Sequence, residues 1–169
     1  MNLSHWFHDQ LHTSADGFVW SVRQVPEERR FIQPLKPLGE WSVTRHVFHM
    51  RYYEQHCALP SMRQWLGAPL LDFSTYDEEG AWANNQDDLD QLLAGFQAVR
   101  AEQIALLPQF TVETWDEVRD AVWGPVSLRW VVSKTYQHTA EHTNDVLRIA
   151  LFWDIFWARV QAEQAVTTA

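Results

Sequence analysis

Four long stretches of the chain carry apolar side chains at helical spacing, and prolines punctuate the gaps between them. The first runs from about Ser4 to Val25, where Phe7, Leu11, Phe18, Val22 and Val25 fall within a sector of about 60° at roughly 100° per residue. Pro26 closes it. A second begins near Trp41 or Ser42 and runs to about Leu59, before Pro60. A third spans about Asp87 to Leu107, with Leu89, Leu92, Leu93, Phe96, Val99, Ile104 and Leu107 on one broad face and Pro108 behind it. The fourth opens near Ser127, after Gly124 and Pro125, and persists to about Gln164. With only 6 glycines and few alternating β-branched runs, helix is the default reading of these segments. The expected fold is therefore all-α, a four-helix bundle with a long connection, residues 60–86, between the second and third helices. Residues 109–126 read as irregular or weakly extended.

A chain of 169 residues that is 46% hydrophobic suits a single domain spanning 1–169. Its one cysteine, Cys57, allows neither a disulfide framework nor a Cys-rich zinc module, and reads as a small core residue in a reducing compartment. A net charge of −9, from 13 Lys+Arg against 22 Asp+Glu, argues against a nucleic-acid partner. The longest clean apolar run, Ile149 to Trp153, is far too short to span a membrane, and Met1 to Gln10 lacks the pattern of a signal peptide. The expectation is a cytoplasmic protein without a membrane partner. Asp72, Asp77, Glu78, Glu79, Asp87, Asp88 and Asp90 fall in a stretch without Lys or Arg. They read as a solvated acidic loop leading into a helix capped by Asn84 or Asn85.

On the fourth helix His138 and His142 leave the same face, and Val131, Ile149 and Phe156 share their sector. Both imidazoles should point inward, where an unpartnered polar ring costs about 1–3 kcal/mol. Spacing alone leaves metal ligands and hydrogen-bonded core histidines both open. A third ligand would come from the second helix, which offers His46, His49 and His56. The apolar centre set by Val43, Val47, Met50 and Cys57 lies nearest His46, with His49 and His56 toward its edge. His5, His8 and His12 flank the apolar face of the first helix and read as a polar, partly exposed row. The ten tryptophans suit a packed core or an apolar pocket, and Trp153 and Trp157 are candidates for a pocket wall or a subunit contact. Beyond His142, Leu151, Phe152 and Ile155 add an apolar surface opposite the histidine face. A homodimer would cover it, unless residues 1–40 do so.

Trp41-Ser42-Val43, His49 eight residues after that tryptophan, and the distant His138-Thr-Ala-Glu-His142 followed by Asn144 and Asp145 form a pattern. It resembles the DinB-like (damage-inducible) metalloenzymes, with their DinB/YfiT-like four-helix bundle. The resemblance implies that one histidine of the second helix and two of the fourth bind a divalent metal. Carried over by position these are His49, His138 and His142. Zn, Ni, Fe or Mn would suit such a site, whose open position is the catalytic pattern. The resemblance further implies a metal-dependent thiol S-transferase of detoxification or stress response, acting on a small-molecule electrophile with a low-molecular-weight thiol as cosubstrate. A metal-dependent hydrolase would use the same ligands, and a noncatalytic stress-associated metal-binding bundle is a third reading. Tyr53, one turn after His49, and Asp145, three residues after His142, are candidate catalytic residues that handle protons or orient ligands.

Overall fold

A computed structural model describes residues 2–167, with side chains through 164. Helix α1, Leu3–Gln24, starts where the Asn2 side chain accepts a hydrogen bond from the His5 N–H, and it buries Phe7, Leu11, Phe18 and Val22. Helix α2, Val43–Tyr53, is capped by Ser42 in the same way. A five-residue π turn, Glu54–Ala58, then leads directly into α3, Leu59–Gln64. The second helical rod therefore passes through Pro60, where the sequence predicts a stop. Proline lacks an N–H and its ring crowds the carbonyl four residues back, so a widened turn just before it relieves both conflicts.

The long connection is ordered and carries α4, Glu78–Ala83. Asp72, Asp77, Glu79, Asp88 and Asp90 are exposed, as a solvated acidic stretch predicts, but the segment is more than a loop. Glu78 and Glu79 reach Arg45 at 3.0 and 2.6 Å, and Asp87 pairs with Arg51, so the segment docks on α2. Helix α5, Leu89–Leu106, is capped by Asp88 rather than by an asparagine, in a reciprocal box with Gln91. The stretch read as weakly extended holds a small hairpin, β1 Val118–Ala121 paired antiparallel with β2 Gly124–Ser127. Strands of four residues with no cleanly buried face leave little alternation to read. Gly124, at φ +87°, follows the two-residue turn in a conformation that other residues avoid. Helix α6, Leu128–Thr167, completes the bundle and packs against α1, α2 and α3. No helix among the described residues is long and apolar enough to cross a membrane.

Two apolar clusters fill the interior. One gathers Phe18, Val22, Val47, Met50, Leu92, Phe96, Val146 and Ile149, and the other Phe7, Leu11, Met62, Trp65, Leu107, Trp115, Leu128 and Val132. Between them lies the buried Arg100 of α5, with all five guanidinium donors used. It donates to both oxygens of Glu54 in the π turn, to Leu11 O and Ser14 Oγ of α1 at 2.8 and 3.0 Å, and to Thr139 Oγ1 of α6 at 2.7 Å. One side chain thus ties four helical segments together at the level of the two α6 histidines. Burial raises the Glu54 pKa, and the guanidinium beside it works the other way.

Candidate metal centre

Helices α2 and α6 bring three imidazoles tip to tip. His49 Nε2 lies 3.0 Å from His138 Nε2, and His142 Nε2 lies 3.1 Å from the same atom. The three residues offer ligand atoms that all fall within 4.8 Å of one another. His46 is not in that set; it lies buried behind His142, with the two Nδ1 atoms 2.9 Å apart. The α2 helix turns His49 toward the gap and His46 into the core, consistent with the wheel's apolar centre near His46 and with the Trp41 register for the cluster itself.

A cation fits this arrangement better than protons do. His138 Nε2 carries either one proton or one lone pair, so it can complete only one of its two short contacts as a hydrogen bond. An ion at the centre would use all three lone pairs, and separations near 3 Å are those of neighbouring ligands at metal–nitrogen distances of about 2.0–2.1 Å. Electrostatics agree. Burial, reinforced by the neighbouring histidines, lowers the pKa of His142 to about 2, and burial with the charge of His49 lowers that of His138 to about 3. Burial likewise brings His46 to about 4. These three rings are neutral at pH 7, the form that ligates.

Around the cluster stand Glu78, which no spacing in the sequence marks, and Trp41. Glu78 of α4 meets His49 Nδ1 with both oxygens, at 2.9 and 2.8 Å, and also accepts from the Tyr76 hydroxyl at 2.9 Å. Burial alone would raise the Glu78 pKa, but the hydrogen bonds from His49 and Tyr76 and the charge of Arg45 hold it below the usual carboxylate range. Trp41 covers the site, its ring parallel to His142 at 5.9 Å and 4.9 Å from His49. In the sequence Trp41 serves only as a register marker; in the fold it is a wall.

Tyr53 sits as its spacing suggests, its ring 4.3 Å from that of His138. Its buried hydroxyl and the His138 Nδ1 both lack a hydrogen-bond partner. Burial raises the Tyr53 pKa strongly, helped by Cys57, Glu54 and Glu141. Asp145 lies on the far side of His142, within 4.8 Å of ring nitrogens of His46 and His142, and is paired with Arg148 at 2.7 Å. His5, His8 and His12 are exposed on α1 beside Asp9 and Asp16. Trp153 and Trp157 border a groove with Glu28, Arg29, Ile32 and Leu35, and Trp153 lies about 16 Å along α6 from His142. They form no wall of the histidine cluster. Cys57 is buried, and burial raises its thiol pKa to about 12.

A helical bundle that gathers one histidine from its second rod and an HxxxH pair from its last defines a class of three-histidine scaffolds. Residues 10–146 match the family model of the DinB superfamily, and the chain belongs to that superfamily. Its fold is similar to that of YfiT from Bacillus subtilis, with a TM-score of 0.68 and 17% identity over 87% of this chain and 85% of that one. YfiT is described as a probable metal-dependent hydrolase with an unusual four-helix bundle topology. No curated protein matches the sequence.

Proposed function

We propose that the chain is a divalent-metal-dependent enzyme whose ligands are His49, His138 and His142, and that it delivers a low-molecular-weight thiol to a small electrophile. The observation that carries the metal is the meeting of three Nε2 atoms that protons cannot mutually satisfy. A divalent ion there, Zn, Ni, Fe or Mn, would supply Lewis acidity that lowers the pKa of a thiol or of water at neutral pH.

The chain's own residues divide the remaining work. Glu78 accepts the Nδ1 proton of His49 and leaves Nε2 free to ligate. Trp41 shields the histidines from water. Tyr53, kept protonated by burial, can donate a hydrogen bond from Oη to a group bound beside His138.

Water would depend on the ion alone for its activation, because the two carboxylates described beside the histidines are engaged. Glu78 serves His49, Arg45 and Tyr76, and Asp145 serves Arg148. A thiol, with an ordinary pKa of about 8.5, releases its proton more readily. Hydrolysis is the second reading, and the description of YfiT favours it.

The test is a pair of assays on metal-loaded protein. Thiol consumption with an aryl halide, dependent on added metal and lost in His138→Ala, is the expected result. Turnover of an activated ester without any thiol would replace this reading with hydrolysis. Bound metal with neither activity would make the chain a noncatalytic metal-binding bundle.

A further inference from the structure

We infer that His46 is a positioning residue for the metal centre: its Nδ1 accepts the Nδ1 proton of His142 and thereby leaves the His142 Nε2 lone pair facing the ion. The inference rests on the metal reading proposed above. It follows from which nitrogens face which. His142 presents Nε2 to His138 at 3.1 Å and Nδ1 to His46 Nδ1 at 2.9 Å. A neutral imidazole has one proton and one lone pair on its two nitrogens. If His142 ligates through Nε2, its proton sits on Nδ1, and the 2.9 Å contact is a bond donated to His46. The opposite arrangement, with His46 donating, would put the His142 proton on Nε2, between that nitrogen and the ion.

His46 is placed for this and for little else. It is buried at the α2–α6 contact, its ring is tilted 60° to that of His142, and Trp41 packs on both rings. An uncharged His46 can accept through the Nδ1 that its 2.9 Å contact turns toward His142. Each α2 histidine then serves the centre differently: His49 as a ligand held by the Glu78 carboxylate, and His46 as the uncharged acceptor behind a ligand of α6.

His46, His142 and Asp145 also bring ligand atoms within 4.8 Å of one another, which raises a second ion as the alternative occupant. Charge speaks against it. Arg148 holds Asp145 at 2.7 Å, and its positive field reaches His46. The 2.9 Å Nδ1–Nδ1 separation is also that of a shared proton.

Zinc titrated against a chromophoric chelator tests the assignment without any assay of activity. Wild type should take one ion per chain, and His138→Ala none. His46→Leu, which keeps bulk but offers no acceptor, should bind about 10–100-fold more weakly. His46→Ala serves the same arm should the leucine variant not fold. His46→Asn, whose amide oxygen can stand near the lost Nδ1, should recover most of the affinity. Undiminished binding in His46→Leu would overturn the proposal, and so would equal losses in His46→Leu and His46→Asn, which mark a packing role. Two ions per chain in wild type, falling to one in both variants, would assign His46 to a second site. A wild type that binds no zinc would overturn the metal reading along with this one.

Discussion

Single residues decide the chemistry here, and their protonation makes a prediction for the metal-free protein. His46, His138 and His142 have folded pKa values of about 4, 3 and 2, against about 6.5 in the unfolded chain. The unfolded state therefore binds more protons between those limits, and stability falls as pH drops below about 6.5. Each group contributes at most about 1.4 kcal/mol per pH unit in that window, less where water reaches the ring. Urea denaturation of metal-free protein at pH 7.5, 6 and 5 should show a falling midpoint, with a smaller fall in His142→Asn. A flat midpoint would show that these rings are not held neutral. The HxxxH pair was legible because two histidines on one apolar stripe must each find a partner inside the bundle. Glu78 was not, because an acidic loop residue reveals its partner only when the connection folds back onto α2.

At the scale of elements, periodicity and proline punctuation located the four rods and the long connection. The sequence reading failed at Pro60, where the π turn lets the rod continue, whereas the hairpin of residues 118–127 lies in the stretch read as irregular or weakly extended and only its pairing went unread. The same π turn carries Glu54 to Arg100, a pairing that depends on a long-range contact and leaves no local trace. Removing one partner of a buried ion pair leaves the other charge uncompensated, at a cost of about 3–5 kcal/mol. Arg100→Met should lose about that much in urea denaturation, and adding Glu54→Gln should return part of it. A loss under about 1 kcal/mol would mean that the Arg100 network contributes little to holding the rods together.

Across the whole molecule, one surface and one centre remain to be accounted for. Leu151 and Ile155 are 67% and 58% exposed on α6. Arg29 of the 26–42 connection pairs with Asp154 and lies over Trp153, yet leaves those two side chains uncovered. A second copy that buries them, at roughly 1.5–3 kcal/mol for each side chain, would make a homodimer. Light scattering at micromolar concentration should give twice 19.9 kDa, and a clean monomer would reject the dimer. The central claim concerns the meeting point of α2 and α6, where three imidazole nitrogens converge on one position. Elemental analysis of protein prepared without chelator or nickel affinity resin tests it most directly. The account predicts about one divalent ion per chain in wild type and none in His138→Ala with the fold intact; metal-free wild type that also fails to take up Zn, Ni, Fe or Mn when offered would contradict it.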